Sequence, residues 1–256
     1  MSLTNQQKVL LKREKLIRRY IPKLDCVRAH GDETMEVLGN GSAGTVFLAC
    51  EDVCVAIKIQ VLLNKKHMDA FDKEVKNQRA FAPYAPKVLD TCTEKIGKYT
   101  FGVIIMELLK TDSELDKYLM LKRSKRELND VIEGLNAALE FTIRKRITHG
   151  DLAFFNIAQN AKGKWIFLDF DRSSTSVFAP HVDYLRLRTE LYARLRSTPT
   201  KKMNKSNIDY FLKTAIPIWT KLYKYKKKFD NIDTLGEEWE KAYEKYCVRA
   251  HVKCLE

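Results

Sequence analysis

Gly39-Asn40-Gly41-Ser42-Ala43-Gly44-Thr45-Val46 is the stretch whose reading decides the fold. Apolar and β-branched runs flank it, Met35-Glu36-Val37-Leu38 before and Thr45-Val46-Phe47-Leu48 after. The glycines therefore join two strands, because a residue without Cβ takes turn dihedrals easily and lets the backbone approach a ligand closely. The spacing is G-x-G-x-x-G-x-V. A dinucleotide-binding turn of similar composition would be followed by a helix, whereas here a strand follows. A chance hairpin is the bland alternative, and the neighbouring segments must decide against it.

Working outward, Val53 to Ile59 forms a third apolar run that contains Val55-Ala56-Ile57-Lys58, with Lys58 nineteen residues after Gly39. A lysine inside a buried strand is costly unless paired. Lys65 to Phe81 reads as a helix, and Glu74 near its middle is the best-placed partner; Asp72 and Glu51 are less well placed. Pro83 and Pro86 break that helix, and Val88 to Thr91 and Tyr99 to Met106 read as two more strands. Upstream, Asn5 to Tyr20 reads as a helix ended by Pro22, with Val9, Leu10, Ile17 and Tyr20 as an apolar stripe. The front of the chain is thus a small sheet with one crossing helix and a helical extension.

Beyond Leu109 helices dominate. Leu128, Val131, Ile132, Leu135, Ala138 and Leu139 recur at three and four residues, and this helix is expected to run to about Ile147. It leads into His149-Gly150-Asp151. Asn156 follows five residues after Asp151, and Asp169 thirteen after that, behind the apolar strand Trp165-Ile166-Phe167-Leu168. Further helices are expected near Val182 to Arg196, Asn207 to Tyr225 and Thr234 to Val252. No internal repeat is visible, and the fold class is α+β.

The three segments supply different parts of one chemistry. A glycine turn can wrap phosphates, a buried lysine can hold them, and Asp151 can accept or orient a hydroxyl proton. Asn156 and Asp169 offer the oxygen ligands that a hard cation such as Mg²⁺ requires. His149 has no metal partner at useful spacing and reads as a structural residue holding its loop.

On these motifs the chain resembles the protein-kinase-like superfamily over roughly Thr34 to Asp183. The resemblance implies a two-lobed fold, with an N-terminal helical extension over residues 1–31, a β-rich N-lobe over 32–109 and a mainly helical C-lobe over 110–256. It implies ATP and Mg²⁺ as cofactors. Leu38, Gly39, Asn40, Gly41, Ser42, Ala43, Gly44, Thr45 and Val46 would cover the nucleotide, with Val46 against the adenine, and Ala56 would also belong to the nucleotide site. Met106, Glu107 and Leu108 would form the hinge that hydrogen-bonds it. Lys58 would pair with Glu74, Asp151 would be the base, and Asn156 and Asp169 would ligate Mg²⁺.

The departures from the family pattern matter. Gly150 stands where protein kinases carry the arginine of His-Arg-Asp, so an activation-loop phosphate lacks that basic partner. Ala153 stands two residues after Asp151, where Ser/Thr kinases carry lysine; Lys58, Mg²⁺ or Arg172 must then neutralise the γ-phosphate. Asp169-Phe170-Asp171 replaces Asp-Phe-Gly and adds a carboxylate near the metal. No Ala-Pro-Glu follows, and Asp171 to Asp183 is short for peptide docking. His-Gly-Asp-Leu is similar to RIO-like and other atypical kinases, minimal viral and bacterial kinases, and aminoglycoside phosphotransferases. Asp-Phe-Asp-Arg with the later Leu-Arg-Leu-Arg looks like the sugar kinases of lipopolysaccharide cores. The leading reading is a compact Ser/Thr protein kinase acting on a protein substrate; a small-molecule or sugar kinase and a catalytically silent nucleotide binder are the alternatives.

Composition sets the outer bounds. The 256 residues, 45% hydrophobic and 31% charged, suit a folded globular chain rather than a disordered one. No apolar run approaches the ~18 residues of a membrane span, and the polar N-terminus lacks a secretory core. A cytoplasmic setting is expected, host cytoplasm or virion if the chain is viral. The six cysteines show no C-x-x-C and are expected to be reduced. Cys26 with His30, and Cys247 with His251 and Cys254, have helical spacing that two meeting faces could turn into a zinc site. The net charge of +13 favours acidic partners. Lys221 to Phe229 is the densest basic and aromatic run, read first as a solvated helix face; no recognised nucleic-acid motif accompanies it.

Overall fold

The computed structural model describes residues 4–30, 35–41, 43–110, 113–175, 183, 186–187 and 204–222. It is a mixed α+β structure built on a five-stranded antiparallel sheet and several helices. The strands are β1 (Glu36–Asn40), β2 (Thr45–Cys50), β3 (Cys54–Leu62), β4 (Val88–Ile96) and β5 (Tyr99–Glu107), in the spatial order β1-β2-β3-β5-β4. Strand β3 is buried at nearly every position, not at alternate ones, because both faces of the sheet are covered. On one face Phe47, Ile57, Ile59, Phe101, Val103 and Ile105 meet the N-terminal extension. On the other, Leu62 and Ile104 meet Phe71 and Val75 of the helix Lys65–Ala80.

The extension begins with helix α1 (Asn5–Tyr20), whose start is fixed by a capping box between Thr4 and Gln7. The expected stripe is corrected: only Ile17 is buried in this helix, and Val9 is 56% exposed. The contact is completed by Ile21, immediately before Pro22, by Leu24 beyond it, and by Val27 in the short helix α2 (Asp25–Arg28). Polar side chains of α1 then reach the edge of the sheet. Arg13 Nη1 donates to the carbonyl of Gly41 at 2.9 Å and Arg18 Nη1 to that of Met35 at 2.9 Å.

The four described cysteines are joined in pairs, Cys26 to Cys92 and Cys50 to Cys54, where the sequence suggested free thiols. The first pair ties α2 to β4, so Cys26 is not set up with His30 for zinc; Cys247, His251 and Cys254 lie outside the described residues.

Helix α3 (Lys65–Ala80) is capped by Asn64, whose side chain accepts from the amide of His67. It crosses the sheet between β3 and β4 as expected. The helical part follows with α4 (Leu115–Tyr118), α5 (Lys125–Lys145) and α6 (Lys205–Leu222). Leu128, Val131, Ile132, Leu135, Ala138 and Leu139 of α5 are all buried, with Phe211, Ala215 and Trp219 of α6 in the same core. Helix α5 stops at Lys145, two residues short of the expected end, because Arg146 turns left-handed at φ +55° and caps it. Ile147 therefore enters the short strand β6 (Ile147–Thr148), which pairs with β9 (Ser174–Thr175). The hairpin β7 (Ile157–Gln159) and β8 (Trp165–Phe167) lies between them in sequence. Among the described residues, no helix is long and apolar enough to cross a membrane. Most of the expected helix near Val182 to Arg196, the one near Thr234 to Val252, and the basic run from Tyr223 on lie outside the described residues.

Candidate functional site

Antiparallel register places the front-half motifs on one patch of sheet. Lys58 on β3 lies opposite Val46 on β2 and Ile104 on β5, while Ala56 lies opposite Leu48 and Met106. Ala56 and Lys58 are two apart, so they share a face. At the glycine turn the amide of Gly41 donates to the carbonyl of Gly44 at 2.9 Å, and Thr45 Oγ1 donates to Asn40 Oδ1 at 3.1 Å. Gly44 has no room for a side chain: an added Cβ would stand 2.5 Å from the carbonyl oxygen of Ile59. Gly39 and Ala43 lie in the described part of this turn, Ser42 outside it, and Leu38 is exposed at the rim. Met106 is buried against Gln78 Nε2. The amide of Glu107 donates to the carbonyl of Lys87 and is not open to a ligand; Leu108 follows β5 directly.

Lys58 is the centre of the arrangement. Its Nζ lies 2.5 Å from Glu74 Oε1 and 2.9 Å from Asp169 Oδ1. The second oxygen of Glu74 accepts from Gln60 Nε2 at 2.6 Å. Burial alone would lower the Lys58 pKa, but the charges of Glu74 and Asp169 and their hydrogen bonds outweigh it and raise it above the usual lysine range. The ammonium is thus held charged throughout the neutral range. Gln60 is two residues beyond Lys58 on the same face, and that period-two spacing was the signal that could have found it.

Asp169 brings the helical part to this lysine. It has φ +63°, a left-handed conformation uncommon outside glycine and tolerated by aspartate. Residues held this way cluster at functional sites. Asp171, two residues on, has a buried Oδ1 with no hydrogen-bond partner among the described residues. Burial and the neighbouring charge of Asp169 push its pKa up to about 6. Asn77 of α3 pins the same segment by donating to the carbonyl of Ser173 at 2.8 Å.

Asp151 and Asn156 form the second half of the site. Asn156 Nδ2 donates to the backbone carbonyl of Asp151 at 2.8 Å, and the amide of Leu168 donates to the carbonyl of Asn156. The Asp151 carboxylate is flanked by two guanidinium groups. Arg186 forms an ion pair with Oδ1 that lacks hydrogen-bond geometry, and Arg172 Nε lies 3.8 Å from Oδ2. Arg186 belongs to the Leu-Arg-Leu-Arg run noted in the sequence, where it had no role of its own; only the tertiary fold carries it to Asp151.

His149 is fully buried among Phe81, Phe167 and Phe170. Its Nε2 lies 2.6 Å from the carbonyl of Leu168, and its Nδ1 faces the amide of Asp151 at 3.3 Å. One neutral tautomer, protonated on Nε2, satisfies both contacts. Burial lowers its pKa from 6.5 to about 4. A depressed histidine stabilises the fold above its unfolded value of 6.5, and that stabilisation is lost as pH falls to about 4. The difference in unfolding free energy between the wild type and His149→Phe should therefore shrink by about 3 kcal/mol across this window. Urea melts at stepped pH values check it, and a constant difference would contradict the buried neutral ring.

Asp183 was not recognised as a site residue, because no local pattern marks it. Its fully buried carboxylate accepts from the amides of His149 and Gly150, both at 2.8 Å. Burial raises its pKa to about 7 against the opposing pull of these donors, Thr148 and Arg186. Its pH contribution is opposite in sign to that of His149: present below 3.8 and lost as pH rises through about 7. Asp183→Ala leaves two buried amides without an acceptor and is expected to cost about 2–4 kcal/mol of stability by urea denaturation.

The donor set around Asp169 fits a hard divalent cation. Asp169 and Asp171 carry carboxylate oxygens, Oδ1 of Asp171 having no hydrogen-bond partner among the described residues, and Asn156, whose Nδ2 is taken by the Asp151 carbonyl, carries an amide oxygen. Compared with known proteins, the chain matches no family model, and no curated protein is similar enough to indicate a relationship.

Proposed function

We propose that this chain is an ATP- and Mg²⁺-dependent phosphotransferase with a two-lobed, protein-kinase-like arrangement, acting on serine or threonine hydroxyls of a protein. The observation that carries the reading is Lys58 held between Glu74 of α3 and Asp169 behind β8. A buried, permanently charged ammonium aimed at the join between sheet and helices is suited to bind nucleotide phosphates. Glu74 and Gln60 fix it in place.

Leu38, Val46, Ala56 and Met106 supply apolar surface for a purine, and the turn from Gly39 to Thr45 supplies close backbone for phosphates. Asn156, Asp169 and Asp171 would hold Mg²⁺, which when bound supplies positive charge to the phosphate oxygens. Asp151 takes the acceptor hydroxyl's proton as that oxygen attacks the γ-phosphorus. The bond to the β-phosphate bridging oxygen breaks, and ADP leaves. With Ala153 in place of a lysine, Arg172 and Arg186 at Asp151 are the cations placed to neutralise the transferring group.

The same two arginines favour a second reading, an anionic small-molecule acceptor such as an acidic sugar, because they would bind an acceptor's negative charge beside the base. Labelled ATP with Mg²⁺ and mixed protein substrates, run beside Lys58→Met, separates the readings. Label in protein, lowered about 100-fold in the variant, supports a protein kinase. Variant-sensitive ATP consumption without labelled protein supports the small-molecule acceptor. Absence of turnover in the wild type would overturn both.

A further inference from the structure

A cavity of about 930 Å³ lies away from Lys58 and Asp169, on the outer side of the connection between sheet and helices. Its walls come from the start of β3, the end of α3, the turn after it, Glu107-Leu108 and the β7–β8 hairpin. Arg79, Lys87, Lys162 and Lys164 contribute four cations, against one carboxylate, Glu107. Between them lie apolar groups, of which Val53 and Leu89 are 74% and 47% exposed. Nothing proposed for nucleotide binding uses these groups apart from Glu107 and Leu108.

We propose that this cavity is a docking site for an acidic peptide segment of a partner protein, one that alternates carboxylates with aliphatic side chains. Charge complementarity selects the sign of the partner. The apolar lining selects its anchors: Val53, Pro83, Pro86 and Leu89 accept aliphatic side chains. Among the described residues, no aromatic side chain lines the cavity for base stacking, which single-stranded nucleic acid would use. Tyr84, between the lining residues Pro83 and Ala85, has Lys164 Nζ 3.8 Å from its ring centroid. A second copy of this chain, itself at +13, is repelled. The assignment does not depend on the phosphotransferase reading.

The test is fluorescence anisotropy with a fluorescein-labelled synthetic peptide alternating leucine with aspartate and glutamate. The wild type should bind it saturably, and Lys87→Glu with Lys162→Glu should weaken binding at least about tenfold. Leu89→Ser, which leaves the charge intact, should also weaken it, as should replacing the peptide's leucines by serine. Lys65→Glu with Lys66→Glu makes the same change in net charge on an exposed turn of α3 outside the cavity and should leave affinity within about twofold. Circular dichroism confirms that each variant is folded. Equal weakening by both charge reversals would overturn the site in favour of a general field. Displacement of the peptide by oligouridylate at lower concentration than by unlabelled peptide would assign the surface to nucleic acid instead. Absence of saturable binding by the wild type would also overturn it.

Discussion

Asp151→Asn is expected to lower γ-phosphoryl transfer by about 10²–10⁴-fold while leaving nucleotide affinity within a few-fold. The reason is geometric. Asn156 is held by the backbone carbonyl of Asp151, not by its side chain, so the amide substitution leaves Asn156 where it is. Lys58, Glu74 and Asp169 make their contacts independently of the Asp151 carboxylate. The change removes only the proton acceptor and the anionic partner of Arg172 and Arg186. Labelled-ATP kinetics together with binding of a fluorescent ATP analogue separate the two quantities. Transfer at the wild-type rate would remove Asp151 from the chemistry. A parallel collapse of nucleotide affinity would place it in binding instead.

Gly150→Arg, which would restore the His-Arg-Asp pattern, is expected to destabilise the protein by about 4 kcal/mol. Gly150 has φ +77°, a conformation that costs an ordinary L-residue roughly 1–2 kcal/mol. A Cβ there would also stand 2.5 Å from the carbonyl oxygen of Arg172 and 3.2 Å from its carbonyl carbon. These are backbone atoms in the segment that follows Asp169, so they cannot yield without moving the site. Gly150→Ala carries the same clash and should lose nearly as much, which isolates the steric cause from the arginine charge. Urea denaturation measures both. A neutral Gly150→Ala would show that the two chain segments can separate without cost.

The same packing explains why the glycine is there. The sequence presented Gly150 as a missing arginine and a loss of phosphorylation control. The fold presents it as a close approach between the Asp151 loop and the Asp169 loop, joined by Ser173 Oγ donating to the carbonyl of His149, while Asp183 accepts from the amides of His149 and Gly150. An arginine's side chain has no space at that position.

Much of the fold was legible because it is written in local patterns. The α5 apolar face, Pro22, and the glycine turn between β-branched runs each act over a few residues. The pairing of Lys58 with Glu74 was also legible, since a lysine in a buried strand needs a carboxylate and α3 offered one near its middle. Where reading failed, the competing cause was tertiary. The stripe assigned to α1 included Val9, but the extension buries Ile21, Leu24 and Val27 instead, the last two after the turn at Pro22 has carried the chain back over the sheet. The cysteine pairs join α2 to β4 and close the β2–β3 turn, and spacing along the chain could not announce the first of them.

The sequence by itself determined the chain order of β1 to β5 with α3 among them, the apolar face of α5, and the identity of Lys58, Glu74, Asp151, Asn156 and Asp169 as the chemical candidates. Short-range propensity and the cost of burying charge are properties of neighbouring residues. Only the tertiary structure decided that Arg172 and Arg186 flank Asp151, that Asp183 caps the amides of His149 and Gly150, and that four cations surround an apolar cavity behind Glu107. Those facts depend on which distant backbones come within hydrogen-bond reach, and no spacing along the chain encodes that distance.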